Sequence, residues 1–360
     1  MSKLVGPIEL PSDQFVVTAN IESNELDGNF YIASARSDEL THNYVAIINE
    51  NSGSPYLKSV NQTVYGDANA ICPLPGSTMG VVGYTPDPSP PFDQDFVTRI
   101  TYEVLNKIGA PQSQPLVVPD DLKNNIYFTY GTHDLHNGEV YLNALGPSET
   151  TSFNGFIIID DLTHKFSRKI TLPQSAFSAI ANTRPSISRL RKIYIYDGAE
   201  LNCINDKTDT VIEEIDLPDV DGKSVDYITG TVVDNVNDTL YVICTHAQET
   251  FSPFTVIQKY DVKDNKYIGQ SQTLKGFSYL WPLINTKKQH LYLTHGAGGI
   301  ICIDLKNNII LNEFDLPLDN PSEEISAVTY HSKTGGIGLV TSDAPGVPCK
   351  FYMVYNPEQP

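Results

Sequence analysis

The chain has 360 residues, 40% of them apolar, and its 43 acidic and 24 basic residues give a formal net charge of −19. This composition supports a packed core, whereas an acidic surface disfavours binding to nucleic acid or to an anionic membrane. No apolar leader follows Met1 and no stretch of eighteen apolar residues predicts a membrane span. We therefore expect a cytoplasmic monomer, although the glycosylation sequons at Asn61 and Asn237 keep secretion open.

The cysteines also favour a reducing compartment. They are odd in number, widely spaced and mostly set inside apolar runs, unlike a secreted disulfide framework. We predict that they are buried free thiols: Cys72, Cys203, Cys244, Cys302 and Cys349.

Short apolar runs follow one another along the whole chain, each long enough for a strand and too short for an ordinary helix. In chain order they are LVGPIEL; NFYIASA, NYVAIIN and LKSVNQTV; MGVVGYT and FVTRITYE; NIYFTYGTH, GFIIIDD and RKITLP; FSAIANT, KIYIYDG, LNCIND and VIEEIDLP; VDYITGTVV, TLYVICTH, FTVIQKYD and YIGQSQTL; FSYLWPLIN, HLYLTHG, GIICIDL and NIILNEFDLP; and ISAVTYH, GIGLVTS and KFYMVYN. Where a copy shows all four runs, they predict a four-stranded antiparallel meander, and the other copies follow the same order.

The copies recur at a nearly constant spacing. The first core residues of the second strands are Phe30, Met79, Ile126, Ile193, Leu240, Leu291 and Ile337. The intervals between them run from 46 to 51 residues, except for 67 between Ile126 and Ile193. A period of about 40–50 residues with four strands is typical of propeller blades, whereas sandwiches do not repeat so evenly.

The prediction is therefore an all-β, seven-bladed propeller of four-stranded antiparallel blades, forming a single domain over residues 1–360. We expect the run from Leu4 to Leu10 to complete the last blade, because an unpaired sheet edge is unfavourable. The long interval is assigned to a loop over residues 132–153, inserted between the second and third strands of the third blade.

The repeats LYLTHGAGGIICIDLKNNIILNEFDLP and, more loosely, IYIYDGAELNCINDKTDTVIEEIDLP resemble the YVTN-type propeller repeat. The resemblance extends from about residue 125 to the C-terminus and departs from the pattern where His246 and His295 stand at second-strand ends. It implies a fold without an activity, because members of the family include lactonases, lyases and plain binding scaffolds.

The histidines are the first candidates for a functional site. Five of the eight are assigned to second-to-third loops, which emerge on one face of a propeller: His42, His133, His136, His246 and His295. Imidazole serves as a general base and as a metal ligand, so we predict His246 and His295 as catalytic residues. The alternative is that these are ordinary polar loop residues, and no spacing identifies a metal.

Ligand contacts are predicted for His42, His133, His136, Glu249, Tyr279 and Trp281. Tyr279 and Trp281 lie two apart on an innermost strand, where they face either the axial channel or the sheet core. In a chain this acidic, a carboxylate such as that of Glu249 is more often solvated than functional.

Two functions remain open. The first is a single small-molecule pocket on the face that carries the histidines, as in a hydrolase, lyase or cyclase, with a divalent metal ion as an optional cofactor. The alternative is a non-catalytic scaffold that binds a protein or a glycan. No serine-nucleophile elbow, phosphate loop or dinucleotide fingerprint decides between them.

Overall fold

The computed structural model describes residues 2–15, 17–24, 27–36, 44–50, 53–62, 70–74, 78–86, 98–105, 116–117, 127–145, 153–207, 210–220, 222–246, 254–275, 280–295, 298–343 and 347–359. Two compact units are present. The four-sheet unit comprises Lys3–Phe177 and Ser322–Tyr355. The three-sheet unit comprises Ser178–Pro321 with the terminal segments Met1–Ser2 and Asn356–Pro360. Over the described ranges, no helix is long and apolar enough to cross a membrane.

The four-sheet unit begins with an antiparallel meander, sheet 1, formed by β2 to β5. The first five strands are β1 (Lys3–Glu9), β2 (Val17–Asn24), β3 (Asn29–Arg36), β4 (Tyr44–Asn49) and β5 (Tyr56–Gln62). The two middle strands are apolar on both faces, so Phe30, Ile32, Val45 and Ile47 are fully buried. β5 alternates between exposed and partly buried residues, as expected of an outer strand with one solvated face.

Sheets 2 and 3 follow in the same order, β6 to β9 and β10 to β13. Their strands are β6 (Ala70–Leu74), β7 (Thr78–Pro86), β8 (Thr98–Leu105), β9 (Leu116–Val117), β10 (Tyr127–Asp134), β11 (Glu139–Leu145), β12 (Asn154–Asp160) and β13 (Phe166–Thr171). The predicted loop over residues 132–153 is wrong, because β11 lies inside it. The sequence GEVYLNAL, read as loop, is the buried second strand, and NIYFTYGTH contains the first.

The helix α1 (Phe177–Asn182) spans the point in the chain where the three-sheet unit begins, and it is the only helix of more than one turn in the part of the chain described. Sheet 4 follows, with β14 (Ser186–Ile187), β15 (Lys192–Asp197), β16 (Glu200–Asn205) and β17 (Thr210–Ile215). The run FSAIANT, predicted as a strand, is therefore helical. Ala179 and Ile180 of this run are buried. The Thr183 N–H donates a hydrogen bond to the carbonyl of Ala179, four residues earlier, which is the spacing of an α-helix.

Sheet 5 departs from the four-stranded pattern. It consists of β18 (Tyr227–Asp234), β19 (Thr239–His246), β20 (Phe254–Asp261), β21 (Lys266–Gln270) and β22 (Leu274–Lys275). Both β21 and β22 pair with β20. The break between them falls at Ser271, whose hydroxyl accepts a hydrogen bond from the Ile257 amide and donates one to the Gln272 carbonyl. YIGQSQTL was read as one strand because this side-chain interruption has no apolar signature.

Sheet 6 contains β23 (Leu280–Asn285), β24 (His290–Thr294), β25 (Gly299–Asp304) and β26 (Ile309–Asp315). The last strands of the chain are β27 (Glu324–His331), β28 (Gly336–Ser342) and β29 (Lys350–Tyr355), and β1 pairs with β29 as the fourth strand of sheet 7. The prediction of seven uniform four-stranded blades is wrong: six sheets have four strands each, whereas sheet 5 has five.

Each unit has its own hydrophobic core between neighbouring sheets. In the three-sheet unit, Tyr194 and Cys203 of sheet 4 pack with Val242 and Cys244 of sheet 5. In the four-sheet unit, one cluster joins sheets 1 and 7 and includes Phe30. Four cysteines, Cys203, Cys244, Cys302 and Cys349, are buried and free, which confirms the prediction for these residues.

A backbone hydrogen bond recurs at one end of five sheets, and we call it the turn bond. The residue directly after the third strand donates its N–H to the carbonyl of the residue directly before the second strand, over 2.8 to 3.2 Å. The pairs are Glu50 with Gly28, Asp161 with Gly138, Asp206 with Arg191, Val262 with Asp238, and Leu305 with Gln289. Every acceptor has a positive φ, between 51° and 72°. The turn bond therefore joins the first-to-second turn to the third-to-fourth turn in these five sheets.

Candidate functional site

His246 is the last residue of β19 and is buried. Its Nδ1 lies 2.6 Å from the Ser224 carbonyl oxygen and donates a hydrogen bond to it, which leaves Nε2 as the acceptor nitrogen of the uncharged form of the ring. The ring stacks on Phe254, its cross-strand neighbour, with centroids 4.6 Å apart. Nε2 is buried and has no hydrogen-bond partner among the described residues. This imidazole is held in one orientation by the sheet itself.

His295 follows β24 and belongs to a tight connection to β25. Its amide N–H donates to the Gly299 carbonyl at 3.0 Å, and its Nε2 lies 4.0 Å from the exposed Asp315 carboxylate. A Cβ added at Gly299 would lie 1.6 Å from Nε2, so only glycine fits beside this ring. Desolvation by burial lowers the pKa of His295, an effect opposed by the nearby carboxylates of Asp315 and Glu313. The ring is therefore predominantly neutral at pH 7.

His133 and His136 lie at the end of sheet 3 opposite to the end that was predicted for them. His133 is in β10, and His136 is in the turn between β10 and β11, so neither belongs to a second-to-third loop. The Nε2 of His133 lies 2.8 Å from the Asp161 carboxylate, and both side chains are almost completely buried. His133 thus hydrogen-bonds a buried acid at the turn bond, while His136 is exposed.

The remaining predicted residues are not brought together. Trp281 is half-buried in β23, at an irregularity of the pairing with β24, and its φ of 46° lies in the left-handed region. Because a bulge interrupts strict alternation, the expected common orientation of residues two apart does not apply there. Tyr279, His42 and Glu249 lie outside the described residues. No group of three or more His, Cys, Asp or Glu side chains suited to a metal occurs within the described ranges.

The residue that donates the turn bond was not recognised from the sequence. Where it is acidic, a different side chain satisfies it: Tyr355 donates to Glu50 at 2.8 Å, His133 contacts Asp161, and Arg191 donates to Asp206 at 2.9 Å. Where it is Val262 or Leu305, it packs into a core cluster instead. The signal was available, since each of these residues follows an Asn or Asp at the end of a third strand.

The first-to-second turns of the three-sheet unit are also joined from sheet to sheet. Arg189 forms two hydrogen bonds of 2.7 Å with the Asp238 carboxylate, and its amide N–H donates to Asn235. The amide of Gln289 donates to Asp234 at 2.8 Å. These contacts place the turns of sheets 4, 5 and 6 in one bonded row.

Several apolar side chains project into solvent from the hydrogen-bonded turns of both units. Leu135 and Leu162, in the two joined turns of sheet 3, are each 75% exposed. Val236, in the first turn of sheet 5, is 66% exposed. Such residues cannot contribute to the core, and sequence reasoning missed them because it weighed only histidines and acids in the turns.

Comparison with known proteins supports the fold at a coarse level. No family model matches the chain, and no curated protein sequence matches it either. Among solved structures, the chain is similar to the WD40 domain of Pan2 from Neurospora crassa, with a TM-score of 0.58 and 10% sequence identity. The match covers 94% of this chain and 89% of that domain. The protein is an all-β β-propeller, and its resemblance to the YVTN repeat stays a prediction.

Proposed function

We propose that this protein is a non-catalytic scaffold that binds a partner protein through its exposed turns. WD40 domains, whose fold it shares, typically serve as protein-interaction scaffolds. The observation that carries the proposal is the exposure of apolar side chains on turns that internal hydrogen bonds hold in place, as for Leu135, Leu162 and Val236.

Held turns favour binding for a physical reason. A loop that is already ordered loses little conformational entropy when a partner docks, so more of the contact energy appears as affinity. The joined turns of sheets 4 to 6 meet this condition through the Arg189–Asp238 and Gln289–Asp234 contacts. The formal charge of −19 would also accelerate association with a basic partner.

A site-specific photocrosslinker tests the proposal in the native cell. Benzoylphenylalanine is placed at Thr163 or Lys287, both exposed in turns, and at Ile268 on the outer strand β21 as the matched control. We expect a covalent adduct of one discrete mass, identifiable by mass spectrometry, from a turn position and none from Ile268.

The outcome is decisive in both directions. An adduct with a single protein at a turn position, competed by the untagged chain, supports a scaffold. Adducts that are absent at both turn positions, or equally frequent and heterogeneous at Ile268, would contradict it.

One observation favours a second candidate, a small-molecule site beside His246. Its buried Nε2 is an acceptor without a hydrogen-bond partner among the described residues, and it could receive a ligand donor or bind a divalent metal ion. His246→Phe keeps the stacking on Phe254 and removes the nitrogen. This candidate requires thermal stabilisation of the parent by Mn²⁺ or by a panel of lactones, and loss of that stabilisation in the variant.

A further inference from the structure

Sheet 3 presents two leucines at the same end, in neighbouring turns. Leu135 lies between β10 and β11, Leu162 lies between β12 and β13, and each is 75% exposed. The turn centres are two strand spacings apart, which is about 10 Å. One partner segment can therefore contact both side chains.

The repeat shows that these leucines are exceptions. The residue two positions after the Asn or Asp that ends a third strand is lysine in three other sheets, namely Lys207, Lys263 and Lys306, whereas sheet 3 has Leu162. The residue directly after the first strand is Asn235, Thr286 or Ser332 in three other sheets, whereas sheet 3 has Leu135. The turn geometry thus accepts polar residues at both positions, and the fold does not require leucine.

The two turns are fixed relative to each other. The Asp161 amide donates to the Gly138 carbonyl at 3.0 Å, and the Asp161 side chain contacts His133 at 2.8 Å. The Asp160 carboxylate accepts hydrogen bonds from the amides of Leu162 and Thr163. The two leucines are consequently displayed on a pre-ordered surface, which we call the leucine tip.

Charge indicates the chemistry of the occupant. Asp160 stands at the leucine tip, and hydrogen bonds from Thr163 lower the pKa of its carboxyl, so it is charged at neutral pH. Glu139 beside it is paired with Arg168, and Lys165 is the exposed cation of the same turn. With a formal charge of −19 over the chain, a basic segment is attracted and an acidic one is repelled.

We infer that the leucine tip of sheet 3 is the docking site for a segment of a partner protein that carries apolar side chains flanked by lysine or arginine. The inference rests on the proposed scaffold function and deepens it by naming the surface and the partner's chemistry. Burying two exposed leucines in a pre-ordered patch supplies the affinity, and the net negative charge of the chain, with Asp160 at the tip, supplies the selection.

The test selects random dodecapeptides displayed on phage against the full-length protein. We expect enriched peptides that combine Leu, Ile or Phe with Lys or Arg. Synthetic copies should bind the Leu135→Ser/Leu162→Ser double variant at least roughly tenfold more weakly by fluorescence anisotropy, a loss of about 1.4 kcal/mol. Ile268→Ser, which removes a 57% exposed apolar residue from the outer strand β21, away from the turns, is the matched control and should change affinity less than about twofold.

Each other result overturns the inference. Enriched peptides that bind the double variant as tightly as the parent would place the docking site elsewhere and leave the scaffold proposal standing. A selection that enriches no peptide, or only acidic ones, would contradict the partner chemistry. Self-association of the parent that the double variant abolishes, seen by light scattering, would make the occupant a second copy of this chain. Failure of the scaffold proposal is separate, because it is read from the crosslinks at Thr163 and Lys287.

Discussion

Sheets 3 and 5 form the same turn bond with opposite side-chain chemistry. In sheet 3 the donor residue is Asp161, which is buried and whose carboxylate is hydrogen-bonded to His133 at 2.8 Å. In sheet 5 it is Val262, which is fully buried in an apolar cluster. The backbone contact is nearly identical, at 3.0 and 2.9 Å. The repeat therefore conserves a backbone geometry, and the side chain can be charged or apolar provided that its surroundings match.

The comparison also explains the role of a predicted site residue. His133 was expected to bind a ligand, but a buried carboxylate without a partner is strongly unfavourable, and imidazole meets that need here. In sheet 4 a guanidinium does the same for Asp206, and in sheet 1 a phenol does so for Glu50. The imidazole, the guanidinium and the phenol each satisfy the carboxylate that follows a third strand, so we assign all three a structural role.

The largest effect on stability is expected when the apolar residue that donates the turn bond in sheet 5 is replaced by an acid. Val262→Asp places a carboxylate in the apolar cluster that surrounds Val262, and we expect a loss of roughly 4 kcal/mol in the free energy of unfolding. Val262→Ala, which only removes methyl groups, should cost about 2 kcal/mol. Urea denaturation measures both. Equal costs for the two variants would show that the site tolerates charge and would break the comparison.

The second effect comes from removing the partner in sheet 3. His133→Leu leaves Asp161 buried without its imidazole, with an expected cost of roughly 3 kcal/mol. Adding Asp161→Leu should recover most of that loss, because an apolar pair then resembles the situation in sheet 5. A double variant no more stable than His133→Leu alone would mean that the pair is not the source of the effect.

A smaller effect is expected at the acceptor of the turn bond. Gly138 has a φ of 66°, and an added Cβ would approach the Asp161 carboxylate to 3.2 Å. Gly198 has a φ of 54° with no atom within 4 Å of such a Cβ, so Gly198→Ala isolates the backbone strain. We expect about 1 kcal/mol for Gly198→Ala and about 2 kcal/mol for Gly138→Ala by thermal denaturation. Identical values would exclude a contribution from the carboxylate contact.

The smallest effect is the pH dependence of stability that arises from His295. Desolvation lowers the pKa of His295 in the folded chain, so the unfolded chain binds the proton more readily. Stability should therefore fall as pH decreases below the ordinary histidine value of about 6.5. In His295→Gln the fall between pH 7 and pH 5 should be shallower. An unchanged slope would indicate that His295 is protonated equally in both states.

Much of the local structure was predictable because buried middle strands leave a strong apolar signal. TLYVICTH and FTVIQKYD are β19 and β20, and NYVAIIN contains β4. The predictions fail where the same apolar pattern fits a helix as well as a strand, or where a strand directly follows a polar turn. The apolar spacing of FSAIANT suits either a strand or a helix of about two turns. GEVYLNAL follows a polar turn, and the turn and the strand together were predicted as one loop.

The site was less predictable than the strands, for a physical reason. The chemistry of an imidazole can be listed from sequence, but its partner cannot, since His133 and Asp161 are separated by 28 residues. Leu135 and Leu162 resemble core residues in the sequence, and only their exposure in the structure sets them apart from the buried leucines. An alignment of internal turns would have found both leucines as departures from a polar pattern.

The four buried thiols allow local unfolding of the protein to be measured through their chemical labelling. Cys203, Cys244 and Cys302 lie in the three-sheet unit and Cys349 lies in the four-sheet unit, and burial raises the pKa of Cys302 to about 12. A disulfide reagent can modify them only after the surrounding strands separate, because a protonated, inaccessible sulfur does not react. The rates at which individual cysteines are labelled would therefore give the opening frequency of each unit in the native protein, without any introduced dye or mutation.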